Sequence, residues 1–485
     1  MQDEVSLRPG ASGAAIARPR AAIEDDPQRA ALLTARMEHI PFCRWHMRAR
    51  IVMGSATFLD AFDALSLAFV LPILVRLWGL SPLDIGWLIA ASYIGQLAGA
   101  LLFSGLAEAR GRVPSAALAT AIMSIMSLGC ALAGNLPMLF ACRLVQGIGV
   151  GGEMPVAAAY ISEFSRAKGR GRFFMLYEMI FPIGLMAAGQ IGTLLVPALG
   201  WKTMFLIGGI PGLIIAVLVA RLPESPRWLI ARGRLDEAQA IIEAGEASAR
   251  RKYPDFRPLD AAAPASTGPA AMPPVAGSPR QRSRWAELLR RPYRNRTLVA
   301  WTLWASAFFV ANSLNNWMPT LYHTVYGLEL RDALRAASMT NVAQVAILLV
   351  CAFCVDRVGR RNWTLASFLV GAGLLATLAF GGTGSLAEVI VLATLSYGVV
   401  GSVNAVLYLY TPEIYPTRMR AIGTGLATSW LRLASAVGPA LVGLMVGQHG
   451  IASVFAMFAG VAVIGALAAT RMIETRGRQL EEIAR

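Results

Sequence analysis

Residues 51–77 read IVMGSATFLDAFDALSLAFVLPILVRL, an apolar run that contains only three charged side chains. A run of this length and composition can cross the roughly 30 Å hydrocarbon core of a membrane as a single helix. Similar runs recur as far as residue 472, so the sequence predicts an all-α polytopic membrane protein. We place twelve transmembrane helices at 51–77, 84–106, 114–134, 136–160, 173–197, 203–221, 297–324, 333–355, 362–382, 387–410, 421–447 and 451–472.

The predicted spans fall into two six-helix bundles separated by a polar segment. The predicted organisation is an N-terminal tail (1–50), an N-terminal bundle (51–221), a central loop (222–296), a C-terminal bundle (297–472) and a C-terminal tail (473–485). We expect disorder up to about Gln28, a helix over 235–252 and a short amphipathic helix over 285–294. The stretch between these loop helices is rich in Pro, Ala, Gly and Ser, which is typical of a linker.

The distribution of basic residues predicts the orientation of the chain. Arginine clusters follow the second, fourth, eighth and tenth spans, whereas the alternate connections carry few Lys or Arg. Basic connections face the cytoplasm, so both termini are predicted to be cytoplasmic in an inner (plasma) membrane protein. The same effect explains the net charge of +15 without a nucleic-acid partner.

Two related segments end the second and the eighth span. They read SGLAEARGR (104–112) and AFCVDRVGRR (352–361), and each places an acid before a Gly-Arg pair. Repetition between six-span halves is typical of secondary transporters. Both segments resemble the G-x-x-x-D-R-x-G-R-R signature of the major facilitator superfamily, although Ser104, Glu108 and Ala109 depart from it in the first copy.

Further motifs resemble particular branches of that superfamily. The segments PESPRWL (223–229) and PEIYPTR (412–418) are similar to the sugar-porter branch, but NNWMPTLY (315–322) lacks the paired glutamines of true sugar porters. The segments DAFD (60–63) and GGEMPV (151–156) resemble metabolite–proton symporters, including niacin and aromatic-acid carriers. The resemblance implies a monomer in the lipid bilayer that moves a small molecule with protons and needs no cofactor.

Charged residues within the spans are the candidates for proton coupling. Asp60 and Asp63 lie three residues apart, on one face of a helix, near the membrane midplane. Arg143 lies at a matching depth in the fourth span, so we expect it to pair with an aspartate and to be released on protonation. The alternative is a fixed ion pair that only stabilises helix packing.

Arg432 is the most informative charge of the second bundle. It lies near the midplane of the eleventh span, whose helix holds no acid, and a substrate carboxylate could supply the counter-charge. Pairing with another helix is the alternative. The other predicted substrate-binding residues are Tyr93, Gln96, Glu178, Asn315, Asn316, Asn341 and Gln344. Glu153 is expected to be structural, beside glycines that allow close helix approach.

A third set of charged residues lies at the ends of the spans with the arginine clusters. We expect it to gate the transporter by holding the outward-open state. The predicted gating residues are Glu108, Arg112, Glu163, Arg170, Asp356, Arg357, Arg360, Glu413 and Arg418.

The sequence thus favours proton-coupled symport of a small aromatic or heterocyclic carboxylate by alternating access. A sugar or polyol carrier, a proton–drug antiporter and a transport-inactive sensor remain alternatives. The four histidines show neither metal-ligand spacing nor a nucleophile partner, so we predict neither an enzyme nor a metal site.

Overall fold

The computed structural model describes residues 20–164, 179–259, 285–381, 385–415 and 417–476. These residues form helices, and no strand occurs among them. The first half contains α1 (Arg20–His39), α2 (Arg44–Trp78), α3 (Pro82–Arg110), α4 (Arg112–Leu132), α5 (Leu136–Phe164), α6 (Ile180–Leu199), α7 (Lys202–Ala220), α8 (Pro226–Ala231) and α9 (Leu235–Lys252). The second contains a 3-10 helix (Trp285–Leu289), α10 (Arg294–Thr324), α11 (Leu330–Val358), α12 (Arg360–Phe380), α13 (Leu386–Glu413) and α14 (Thr417–Thr470).

The helices confirm the predicted twelve-span plan. Ten helices of the described chain are long and apolar enough to cross a membrane. One of them, α14, is two helices joined at Gly450, whose φ of 75° breaks the helical backbone. α5 is also long enough, but it contains Arg143, Gln146 and Glu153, which lower its hydropathy. Counting α5 and both arms of α14 gives the predicted two sets of six.

Glycines close the same tight turn in both halves. Gly111 separates α3 from α4 with a φ of 114°, and Gly359 separates α11 from α12 with a φ of 96°. Residues with a side chain rarely adopt such angles. A Cβ at either glycine would also clash with a carboxylate, that of Glu224 in the first half and that of Glu474 in the second. The turns therefore need glycine for two reasons.

The contacts divide the chain into two units. One unit consists of Met1–Trp45 and Pro226–Gly277, as far as these ranges are described. Its core lies between α1, α8 and α9 and includes Met37, Trp228 and Ile242. The α1 helix is described from Arg20, whereas the sequence predicted disorder up to about Gln28. From Ala30 onward, the apolar side chains of α1 pack against α8 and α9.

The other unit, His46–Ser225 and Ser278–Arg485, contains all the spans. Within it, α3 packs against α14 and α6 packs against α11, which joins the two halves. The helices approach closely at Gly86 and Pro439 and at Gly189 and Ser338. These approaches lie toward the end opposite to Arg112 and Arg360. We call the end with these two arginines the basic end.

Candidate functional site

Asp63 is enclosed by polar groups of its own half. Its carboxylate is buried and accepts hydrogen bonds from Ser127 Oγ at 2.9 Å and from Gln146 Nε2 at 3.1 Å. Ser127 lies on α4 and Gln146 on α5, so three helices converge on this carboxylate. The hydrogen bonds offset part of the cost of placing a carboxyl group in an apolar bundle.

Arg143 lies beside Asp63 but does not bind its carboxylate directly. Its Nη1 donates to the backbone carbonyl of Asp63 at 3.2 Å and to Gln146 Oε1 at 2.7 Å. Gln146 therefore bridges Arg143 and the Asp63 carboxylate. The predicted direct ion pair is replaced by this bridge in the described structure. Arg143 Nε and Nη2 have no hydrogen-bond partner among the described residues, and the guanidinium lies 5.0 Å from the centroid of the Phe205 ring.

Asp60 is buried one turn away in a different environment. The charges acting on its carboxyl group include those of Glu153, Asp63 and Arg432. Its Oδ1 has no hydrogen-bond partner among the described residues. Glu153 is fully buried on α5 and accepts a hydrogen bond from Thr57 Oγ1 at 3.0 Å. The charge of Arg432 in the second half thus acts on Asp60, whereas Asp63 is hydrogen-bonded inside the first half.

Arg432 reaches from the second half toward the first. It is 7% exposed, and its guanidinium donates to the backbone carbonyls of Thr428 at 3.3 Å and Gly151 at 3.5 Å. Its Nε has no partner within the described chain, and no acidic oxygen there lies within 4.0 Å. Backbone carbonyls accept hydrogen bonds but carry no net charge. They therefore do not neutralise the positive charge of this buried guanidinium.

Tyr93 and Asn316 join the two halves near these charges. Asn316 Nδ2 donates to Tyr93 OH at 3.2 Å and to the Asn312 carbonyl at 2.8 Å. The charges of Arg143 and Asp60 act on the Tyr93 hydroxyl. Both predicted residues therefore lie beside the buried charges, with Tyr93 on α3 and Asn316 on α10.

A second polar group lies on α11 and α13. Tyr397 OH donates to Gln344 Oε1 at 2.7 Å. Asn341, one turn from Gln344, is 1% exposed. Neither end of its amide has a hydrogen-bond partner in the part of the chain that is described.

The remaining predicted substrate residues differ in their surroundings. Asn315 is 7% exposed on α10. Gln96 is half-buried where α3 meets α5, and its carbonyl would clash with a Cβ at Gly151. This close approach supports the expectation that the glycines near Glu153 bring the helices together. Glu178 lies outside the described residues.

The gating residues of the first half form one network at the basic end. Arg112 binds Glu108 at 2.9 Å and Glu163 at 3.0 Å. Glu224 accepts hydrogen bonds from the backbone amides of Arg112 at 3.1 Å and Val113 at 3.2 Å. Burial raises the pKa of the Glu224 carboxyl, and the amides that donate to it oppose that shift. The network ties α3, α4 and α5 to the segment after α7.

The second half repeats this network. Arg360 binds Asp356 at 2.8 Å and Glu413 at 3.5 Å. Glu474 accepts hydrogen bonds from the backbone amides of Arg360 at 3.0 Å and Arg361 at 3.1 Å. Each of these ion pairs joins residues of the same half. Arg357 is exposed, Arg170 lies outside the described residues, and the side chain of Arg418 is not among those described.

Sequence reasoning missed several residues of these sites. Gln146 and Ser127 hold Asp63, Tyr397 holds Gln344, and Glu474 caps the turn at Gly359. Gln146 follows Arg143 by one helical turn, so a search for polar neighbours on the same helix face would have found it. Glu474 occupies the same place relative to Gly359 as Glu224 does to Gly111, and comparison of the halves would have found it.

The geometry defines a class of protein: a secondary transporter with buried charges between two six-helix halves. A family profile described as "Sugar (and other) transporter" matches residues 49–485. The niacin transporter NiaP of Acinetobacter baylyi is 33% identical over 93% of this chain and 99% of that protein. The 4-hydroxybenzoate transporter PcaK of Pseudomonas aeruginosa is 25% identical over 83% of this chain and 88% of that protein.

The fold also matches solved structures. A partially occluded inward-open structure of the xylose transporter XylE from E. coli gives a TM-score of 0.69 at 19% identity, over 90% of this chain and all of that chain. This likeness shows the fold alone. The chain belongs to the sugar (and other) transporter family of the major facilitator superfamily. The predicted family and fold are thereby confirmed, and the family consists of transporters rather than enzymes.

Proposed function

We propose that the protein carries a small aromatic or heterocyclic carboxylate together with protons. The observation that carries this proposal is the buried guanidinium of Arg432, which donates only to backbone carbonyls in the described structure. A carboxylate bound there would supply the missing negative charge and accept paired hydrogen bonds. The names of the relatives, a niacin transporter and a 4-hydroxybenzoate transporter, agree with this substrate class.

The protons are proposed to bind at the aspartates of α2. The charges of Glu153 and Arg432 both act on the Asp60 carboxyl group. When Asp60 is ionised, it attracts Arg432 and competes with an incoming carboxylate. When Asp60 is protonated, Arg432 is released to bind the substrate. Proton binding and anion binding then favour each other, which is the linkage that symport requires.

A definite orientation of the protein in the membrane is part of the proposal. The basic end is proposed to face the cytoplasm, in accord with the charge distribution along the chain. Hydrogen bonds join the halves at the midplane and toward the opposite end: Arg432 to Gly151, Asn316 to Tyr93, and Thr193 to Leu334. This arrangement corresponds to a carrier closed to the outside. Alternating access would open this end and close the basic one.

Proteoliposomes provide the test. Purified protein should accumulate radiolabelled nicotinate or benzoate when the lumen is made alkaline relative to the medium. A protonophore should abolish the accumulation but leave exchange of labelled for unlabelled substrate. Uptake of xylose but of neither acid, or accumulation of the acids that is indifferent to the protonophore, would refute the proposal.

A further inference from the structure

Asn341 is a buried amide for which the described protein supplies no partner. Its side chain is 1% exposed, and neither Nδ2 nor Oδ1 forms a hydrogen bond within the described chain. Buried polar groups are nearly always hydrogen-bonded, because an unsatisfied group lowers the stability of the fold. An amide left in this state offers one donor and one acceptor to a molecule that enters the bundle.

The face of α11 that carries Asn341 is turned toward the other half. Leu334 and Ser338 precede Asn341 by seven and three residues, so all three lie on one face of the helix. The Leu334 carbonyl accepts a hydrogen bond from Thr193 Oγ1 at 3.1 Å, and Ser338 packs against Gly189. Both partners belong to α6 of the first half. Asn341 thus lies toward the interface where the substrate is proposed to bind.

A polar pair lies beside Asn341 on the same helix. Gln344, one turn beyond Asn341, accepts a hydrogen bond from the hydroxyl of Tyr397 on α13 at 2.7 Å.

Asn341 lies nearer than Arg432 to the end opposite the basic end. At 1.5 Å per residue from that end, Asn341 lies roughly 16 Å along α11, and Arg432 lies roughly 27 Å before Gly450 along α14. A substrate whose carboxylate binds Arg432 would therefore direct its ring toward the level of Asn341.

We propose that Asn341 hydrogen-bonds a heteroatom on the substrate ring while Arg432 binds the carboxylate. This inference rests on the proposed function and narrows the substrate class. A ring nitrogen can accept from Nδ2, and a ring hydroxyl can bond to either end of the amide. An unsubstituted benzene ring offers only C–H groups, so its binding leaves the amide unsatisfied. Sites built to bond such a group discriminate strongly against analogues that lack it.

The wild-type protein provides the first measurement. Nicotinate, 4-hydroxybenzoate and benzoate are compared as competitors of one labelled acid in proteoliposomes. At least one of the two acids with a ring heteroatom should bind on the order of 10- to 100-fold more tightly than benzoate. Equal affinities for all three would overturn the inference and leave the proposed function intact. Binding of none of them would overturn both.

The variant Asn341→Leu tests the residue itself. Leucine has a similar size but no hydrogen-bonding group, so the preferred heteroatom acid should lose most of its advantage while benzoate keeps its affinity. Thr340→Val is the matched control, because the neighbouring Thr340 hydroxyl already contacts Thr394 at 3.2 Å. An unchanged affinity ratio in folded Asn341→Leu, or an equal loss for every acid, would overturn the assignment. If Asn341→Leu does not fold, Asn341→Ala is measured in its place.

Discussion

Asp60 and Asp63 are one helical turn apart on α2, yet they lie in two different environments. Asp63 is held by Ser127 and Gln146 inside the first half. Asp60 has an oxygen without a hydrogen-bond partner in the described structure and lies within electrostatic reach of Arg432 from the second half. The pair can therefore divide two tasks. Asp63 would stabilise the first half around Arg143, and Asp60 would respond to the movement of the other half.

The first prediction follows from that division. Asp60→Asn mimics the protonated carboxyl, so it should abolish proton-driven accumulation while exchange across the membrane continues. Asp63→Asn should also stop accumulation, with an added loss of thermal stability, because the amide replaces one hydrogen-bond acceptor with a donor. The measurements are uptake and exchange in proteoliposomes and the melting temperature of each variant. Full uphill transport by both single variants and by the double variant would contradict the assignment.

The second prediction concerns the contact between the halves. The Cβ built at Gly189 lies 3.3 Å from the Ser338 Cβ, which is close to the Cβ separation of a disulfide. The double variant Gly189→Cys and Ser338→Cys, with the native cysteines replaced, should cross-link under oxidation and stop transport. Dithiothreitol should restore transport. Each single variant is the control. Complete cross-linking with normal transport would show that this contact need not open.

Much of the fold could be predicted from the sequence, since hydropathy and repetition are local signals. The span boundaries near Trp78 and Arg110 follow directly from where apolar residues stop. The bridge between Arg143 and Asp63 through Gln146 could not be predicted. Gln146 was one of several polar residues at membrane depth, and nothing in the sequence singled it out. The depth of Arg143 is a property of one helix, whereas its partner depends on how α2, α4 and α5 pack. The unit that contains α1 was missed because its core forms between segments about 200 residues apart.

The third prediction concerns that unit. Arg36 and Glu246 form a bidentate ion pair, with Nε–Oε1 at 2.9 Å and Nη2–Oε2 at 2.8 Å, and the hydrogen bond to Glu246 raises the pKa of Arg36. Glu246→Ala should destabilise the unit by about 1.5–3 kcal/mol, since it removes the two hydrogen-bonded oxygens from a partly buried arginine and leaves only Glu243 at 3.9 Å. The measurement is faster amide hydrogen exchange in α1 and α9.

A neighbouring acid supplies the control for that experiment. Glu243 lies 3.9 Å from Arg36, and its side chain is 53% exposed, compared with 5% for Glu246. Exposed ion pairs contribute at most about 1 kcal/mol, so Glu243→Ala should change exchange little. Equal effects of the two substitutions would mean that the bidentate pair does not stabilise the unit.

The fourth prediction concerns the repeated turns at the basic end. Glu224 and Glu474 each accept backbone amide hydrogen bonds across a glycine turn. Replacement of either by Ala should lower the melting temperature, because the backbone amides of the turn then lose a charged partner. The exposed Glu388, in the first turn of α13, provides the control variant Glu388→Ala. If both variants melt at the same temperature as Glu388→Ala, the turns do not depend on these carboxylates.

The central claim is that Arg432 binds the substrate carboxylate. The direct measurement is the ratio of affinities for an acid and its amide, nicotinate and nicotinamide, in wild-type protein, Arg432→Lys and Arg432→Ala. The wild type should prefer the acid, and Arg432→Lys should keep a weaker preference because it retains the charge but loses the bidentate geometry. Arg432→Ala should weaken acid binding by about 2–5 kcal/mol and leave the amide little changed. A folded Arg432→Ala variant with the wild-type ratio of acid to amide affinity would contradict the account.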